Sequence, residues 1–145
     1  SLLAVCRAQQ GRYEEALDLQ RQADQGLVHR GFHVRDNAEL PLLGALARLA
    51  RWQDWDDTFH TLRQRIEERQ LPAYRAVEIE LSVDHVVAVG EYGRAEVLIE
   101  ALITSYRNNL RSGDVRRMES RLVEVRKKTA RVNLSSVNLE GQLIY

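Results

Sequence analysis

Two histidines are the first candidates for metal chemistry in this sequence of 145 residues. His29 and His33 are four residues apart, and on one helix that spacing would place two imidazoles on the same face as metal ligands. Gly31 lies between them and favours a connection over a helix, and the sequence offers no evident third ligand. We therefore expect no metal site.

Carboxylates are grouped at two further places. Asp54, Asp56 and Asp57 precede or begin a predicted helix, where the helix dipole favours negative charge without any bound cation. Glu78 and Glu80 are two residues apart, so on a helix they point to different sides and make a poor acid/base pair. Both groups are better explained by structure than by catalysis.

The remaining candidates for enzyme chemistry are few. His85 is adjacent to Asp84, which is the wrong spacing for one side chain to orient the other within a helix. The sequence contains no Gly-rich phosphate loop and no Gly-x-Ser-x-Gly motif, and no nucleophile can be assembled around the single Cys6. We predict that the protein is not an enzyme and requires no cofactor.

A short pattern that occurs three times indicates the elements that position these residues. In each copy an aromatic residue lies two positions after the first residue, and a small residue lies five positions after it. The copies are Gly11, Tyr13 and Ala16; Gln53, Trp55 and Thr58; and Gly90, Tyr92 and Ala95. Their starts are 42 and 37 residues apart, and such periods indicate stacked units of secondary structure. Glycine suits the end of a first helix, because it adopts a left-handed conformation without a Cβ clash.

The first copy resembles the turn and second helix of a tetratricopeptide repeat. It reads Gly11-Arg12-Tyr13-Glu14-Glu15-Ala16-Leu17, with Ala23 seven residues after Ala16. The third copy is a second good match, whereas the middle copy has Gln53 in place of Gly and Thr58 and Arg65 in place of the two alanines. The resemblance covers about residues 1–110 and implies a right-handed array of antiparallel helix pairs. Both spacings exceed the usual 34 residues, so HEAT-like pairs remain an alternative.

Composition is that of an ordinary soluble domain, with 44% hydrophobic and 29% charged residues. A lone cysteine excludes an intramolecular disulfide and favours a reducing cytoplasm. No apolar run is long enough for a membrane span, and no signal peptide is visible. Arg greatly outnumbers Lys, which favours a bacterial source. The sequence begins at Ser1 without a start Met, so we expect a piece of a longer protein.

Hydrophobic periodicity predicts about seven helices. The segment from Val77 to Val83 alternates like a strand, but Ala76, Ile79 and Val83 also form a helical stripe. We predict a helix, because a lone strand would leave its backbone groups without partners. We assign residues 1–131 to the helical domain. Residues 132–145 are a tail that either docks on the core or begins a following segment.

The last predicted helix, about residues 114–130, is basic. Residues 107–131 hold nine Arg or Lys against three Asp or Glu, although the whole chain has no net charge. The candidate contact residues of this helix are Arg116, Arg117, Arg121, Lys127 and Lys128. Three interpretations compete: a cap that partly faces the acidic repeats, a dimerising or signal-transmitting helix with a heptad seam, and a nucleic-acid contact. Nucleic acid is the least favoured, because no aromatic series or reading motif accompanies the cations.

The sequence thus predicts an all-α fold of about three helix pairs plus a C-terminal helix, resembling a tetratricopeptide solenoid. In that family the first helix of each pair lines a concave groove that binds peptides or partner helices. The positions that correspond to this groove are Leu43, Ala47, Arg51, Glu80, Asp84 and Val87. The family's capture of a C-terminal carboxylate needs Lys or Arg with Asn, whereas these positions are mostly apolar or acidic, so a basic or amphipathic segment fits better. The alternative is a sensory or oligomerisation domain of a bacterial regulator.

Overall fold

A computed structural model describes the backbone of residues 2–29 and 39–144 and the side chains of residues 2–26 and 39–134. Within these ranges the chain forms seven α helices and no strand, which confirms the all-α class. The helices are α1 (Leu2–Gln9), α2 (Tyr13–His29), α3 (Leu43–Arg48), α4 (Trp52–Glu67), α5 (Ala73–Ala88), α6 (Tyr92–Asn108) and α7 (Ser112–Ile144). A 3₁₀ turn, Leu40–Leu42, leads into α3. The ambiguous segment from Val77 to Val83 lies inside α5, so the prediction of a helix there is confirmed. The predicted connection around Gly31 and His33 lies outside the described residues.

Five connections between successive helices share one backbone geometry. Each has a residue with a positive φ, and the next N–H donates to a carbonyl five residues earlier. The positive-φ residues are Gly11, Ala50, Arg69, Gly90 and Leu110, with φ of 80°, 54°, 56°, 81° and 56°. The geometry satisfies carbonyls at the end of one helix and reverses the chain into the next.

This shared geometry corrects the alignment of the middle copy of the repeat. Ala50, not Gln53, occupies the left-handed position of Gly11 and Gly90, and Gln53 lies within α4. The aromatic residue equivalent to Tyr13 and Tyr92 is therefore Trp52. Trp55 takes the position at which the other two copies have Ala16 and Ala95. The three turns are in consequence about equally spaced along the chain.

Most helices pack against the next helix in the chain, and α3 and α4 also pack against the next but one. α1 packs on α2, α2 on α3, α3 on both α4 and α5, α4 and α5 on α6, and α6 on α7. The core runs through all seven helices, and its largest fully buried side chains include Trp55, Tyr106, Leu62 and Met118. Trp55 stacks on Phe59 with ring centroids 5.2 Å apart. The buried tryptophan thus fills the interior of the middle unit.

α7 is longer than its sequence pattern predicts. It runs unbroken through the expected tail, so the backbone shows no boundary between residues 131 and 132. Met118, Leu122 and Val125 of its heptad seam are buried. Thr129, the next seam position, donates to a carboxylate oxygen of Glu96 on α6 at 3.4 Å. The first part of the seam is therefore occupied by α6 and is not open to a second chain.

Candidate interaction surface

Two of the predicted groove residues belong to the core. Leu43 and Ala47 lie on α3 and are almost fully buried. The reason is that α3 has only 6 residues and packs among α2, α4 and α5, so little of its surface reaches solvent. Arg51 lies in the turn after α3 and forms an ion pair with Asp54, with Nη2 and Oδ2 2.9 Å apart. The predicted groove therefore does not extend along α3 through these residues.

The acidic groove residues of α5 face cations of α7. Glu80 accepts from Nη2 of Arg117 at 2.6 Å, and Asp84 forms an ion pair with Arg121. The Glu80 side chain is only 16% exposed, whereas that of Asp84 is 74% exposed. Val87 is half-buried against the core. Residues that the sequence assigns to two separate surfaces thus hold α5 and α7 together.

Arg117 is the centre of this contact. Besides Glu80 it also pairs with Asp114, which lies three residues earlier on α7. The hydrogen bonds that Arg117 donates to the Glu80 and Asp114 carboxylates raise the pKa of Arg117, and the hydrogen bond from Arg117 lowers the pKa of Asp114. Arg117 and Asp114 are therefore charged near neutral pH, and Arg117 links α7 to α5 through Glu80.

Next to this ion-paired edge, α5 exposes an apolar stripe. Tyr74, Val77, Leu81 and Ala88 are exposed, and their spacings of three, four and seven residues place them on one face of the helix, where the exposed Asp84 lies between Leu81 and Ala88. Tyr74 is 63% exposed, and Val77 and Leu81 are each 42% exposed. We call these four residues the α5 stripe. The helical stripe predicted from the sequence, which includes Ala76, Ile79 and Val83, is the buried face of α5 and not this exposed one.

The other side of the α5 stripe is bounded by His85. Nε of Arg48 on α3 donates to Nδ1 of His85 at 3.1 Å, and the Tyr13 ring makes an edge contact with a centroid separation of 5.7 Å. Gly44 lies directly against the imidazole, because a Cβ built there would be 2.7 Å from Cδ2 of His85. Burial first, and then the charge of Arg48, lower the pKa of His85. A neutral imidazole that accepts from Arg48 is thus a packing element between α2, α3 and α5.

The rest of the basic helix is less strongly paired. Nζ of Lys127 is 3.4 Å from Glu124, one turn away on α7, and Nζ of Lys128 is 6.0 Å from the centre of the Tyr92 ring. Arg116 is exposed and forms no ion pair within the described residues. Positive charge therefore remains available along α7 after the contacts with α5 have been formed.

The other chemical candidates are accounted for by local pairs. Asp56 pairs with Arg94, Asp57 accepts from Nε2 of Gln53 at 3.0 Å, and Glu78 pairs with Arg75 at 3.1 Å. Residues 2–29 and 39–144, as far as their side chains are described, contain no cluster of three or more groups suited to a metal ion. The His29 side chain and His33 lie outside the described part.

A cleft of about 270 Å³ opens between α4 and α6. Phe59 and Ile66 form part of its floor, and Arg63, Glu67 and Glu100 surround it. Glu100 also pairs with Arg126 of α7 at 3.0 Å. With two acidic groups and one basic group at its margin, the cleft has no consistent charge preference.

In the part of the chain that is described, none of the helices combines the length and apolar character that crossing a membrane requires. Comparison with protein-family models, with curated proteins and with solved structures finds no match.

Proposed function

We propose that the protein is an interaction or regulatory module, built as a tetratricopeptide-like array, that binds a peptide or partner helix along α5 and α7. The observation that carries this proposal is the α5 stripe beside the ion pairs formed by Glu80 and Asp84. Apolar anchors spaced three, four and seven residues apart are the pattern by which a helix surface receives another amphipathic helix. No catalytic step is needed for such a role.

The surface is also held in a fixed arrangement. Glu80–Arg117 and Asp84–Arg121 fix one edge of α5, and His85 with Arg48 fixes the other. A rigid surface loses little conformational entropy when a partner docks, so more of the contact energy appears as affinity. Exposed apolar side chains such as Leu81 would then lose water contact on binding, which is favourable by about 25 cal/mol per Å² of buried apolar area.

A capture experiment with a matched control tests this proposal. Leu81→Glu places a charge in the α5 stripe, and Val97→Glu places the same charge on α6 at nearly equal exposure, 42% against 40%. Immobilised protein is incubated with a lysate of the source organism, and bound proteins are identified by mass spectrometry. We expect a specific set of partners to be lost from the Leu81 variant and kept by the Val97 variant. Equal retention or equal loss in both variants contradicts the proposal.

A second function, an oligomerising or sensory domain of a bacterial regulator, is favoured by the length of α7. This helix has 33 residues, whereas α6, on which it packs, has 17. Val132 and Leu134, beyond the contact with α6 through Thr129, are 50% and 63% exposed. Sedimentation equilibrium tests this function: a dimer that becomes a monomer in Val132→Glu supports it, and a monomeric wild-type protein opposes it.

Nucleic-acid binding is the third function and is less well supported. Arg117 and Arg121, two of the five predicted contact residues, are engaged with carboxylates of α5, which lowers the charge that they offer to phosphates. Electrophoretic retardation of duplex DNA at low and high salt tests it, and no retardation at low salt removes it.

A further inference from the structure

We propose that the partner of the α5–α7 surface is an acidic amphipathic helix. Its apolar side would lie on the α5 stripe, and its carboxylates would face Lys128 and Arg131 of α7. This inference rests on the function proposed above and adds the charge and the pattern of the partner. It reverses the sequence-based expectation of a basic partner.

The carboxylates of α5 already have cationic partners on α7. Glu80 and Asp84 are already paired with Arg117 and Arg121, whose side chains remain 47% and 31% exposed at the same edge. A basic partner would have to displace these arginines, and the gain from exchanging one exposed ion pair for another is small. It would also meet the two guanidinium groups at close range. Pairing and burial thus make Glu80 a poor contact for a basic segment, whereas the Asp84 side chain remains 74% exposed beside Arg121.

The two ion pairs also define the register of α5 and α7. Glu80 meets Arg117 and Asp84 meets Arg121, so α5 and α7 run parallel with a constant offset of 37 residues. With this offset Lys128 and Arg131 lie level with the chain just beyond the end of α5. The contact between Lys128 and the ring of Tyr92, at the start of α6, agrees with that position.

These cations are not neutralised by α5. Lys128 and Arg131 are exposed, and neither forms an ion pair with any described residue. Leu81 lies about ten residues before the level of Lys128, which along a helix is about 15 Å. A partner helix along α5 would thus meet apolar anchors first and, about three turns further on, two exposed cations that form no ion pair with a described residue.

The geometry specifies a sequence pattern for the partner. Two or three apolar residues spaced by three or four would contact the α5 stripe, and Asp or Glu would follow about ten residues away on the same face. Opposite charge across the exposed margin of an interface raises the association rate, and salt weakens this effect. Apolar contacts and charge therefore make separable contributions to binding.

The inference can be tested with designed peptides by fluorescence anisotropy. One helical peptide carries leucines at the anchor spacing and glutamates elsewhere, and its matched control carries lysine at every glutamate position. We expect the acidic peptide to bind at least about tenfold more tightly at low salt. Equal binding of the two peptides, or tighter binding of the basic one, overturns the inference. Absence of binding of both peptides at about 1 mM also overturns it.

Variants of the intact chain separate the two contributions. Leu81→Glu should lower the affinity for the acidic peptide at least about tenfold. Lys128→Glu should lower this affinity several-fold and reduce its dependence on salt. Val97→Glu should have no effect, and circular dichroism should show that all three variants remain folded. If the basic peptide binds better and Leu81→Glu abolishes its binding, the inference is wrong but the proposed surface stands. If duplex DNA competes with the acidic peptide and binds more tightly, the cations bind nucleic acid and the inference is wrong.

Discussion

Replacing Ala50 by glycine should stabilise the protein, although Ala→Gly changes in helical proteins usually destabilise. Ala50 has a φ of 54° and lies in a turn, where its Cβ is strained. Such strain costs about 1–2 kcal/mol for a residue with a Cβ. Against this gain, glycine lowers the free energy of unfolding by about 0.4–1 kcal/mol, because it increases the entropy of the unfolded chain. The net expectation is an increase of about 1 kcal/mol in the free energy of unfolding. For a chain of this length that corresponds to about 3 °C in Tm.

The matched control is Gln53→Gly. Gln53 lies in α4 and donates to Asp57, so glycine there should lower the free energy of unfolding by about 0.5–1 kcal/mol. Leu110→Gly should act like Ala50→Gly, because Leu110 has a φ of 56° and is 90% exposed, so few contacts are lost. Urea denaturation measures all three changes. If Ala50→Gly destabilises while Gln53→Gly stabilises, the glycine position of the middle unit is at residue 53 and the turn assignment is wrong.

Three further changes test contacts around α5. Gly44→Ala should lower the free energy of unfolding by about 1–3 kcal/mol, because a Cβ would clash with the near end of the His85 side chain. Urea denaturation of Gly44→Ala with and without His85→Ala separates this clash from other effects. The pKa of His85 is lowered from 6.5 in the folded chain, so the unfolded chain binds this proton more readily. The contribution of His85 to the free energy of unfolding should therefore be highest above pH 6.5 and fall as the pH drops below about 6.5. The difference in free energy of unfolding between wild type and His85→Gln, measured at pH 7.5 and 5.5, should show this loss. A double-mutant cycle with Glu80→Ala and Arg117→Ala should give a coupling of about 1 kcal/mol, and a value near zero would mean that the pair does not fix α5 against α7.

The sequence predicts the helices well because hydrophobic periodicity reports directly on them. Gly11 and Gly90 mark two of the turns, since glycine is the residue that most readily adopts a positive φ. The middle turn has no such signal, because Ala50 adopts the same conformation at an energetic cost. Trp52 and Trp55 could each be the aromatic residue of the middle copy of the repeat. The sequence analysis assigned Trp55, which shifted the middle copy by three residues relative to the other two. Local pattern alone could not resolve two rings one helical turn apart.

The surface was harder to predict because its main contacts join distant residues. Glu80 and Arg117 were both singled out by charge, but nothing in the chain shows that a separation of 37 residues brings them within hydrogen-bonding distance. The short length of α3 was also not visible, and it is the reason that Leu43 and Ala47 are buried. Chain periodicity identifies which residues share a face, whereas packing of neighbouring helices decides which faces remain open.

The pairing of α5 with α7 changes how charge reversal on this surface must be interpreted. Glu80→Lys with Asp84→Lys removes carboxylates, but it also places lysines against Arg117 and Arg121 and would push α7 away from α5. Loss of a partner in that double variant would therefore not distinguish a direct contact from displacement of α7. Reversing only the pair Asp84–Arg121, by Asp84→Lys with Arg121→Glu, separates these effects, because Arg117 also pairs with Asp114 and is left unchanged. This variant keeps an ion pair between α5 and α7 and the α5 stripe in place, so it should retain a partner anchored on Leu81.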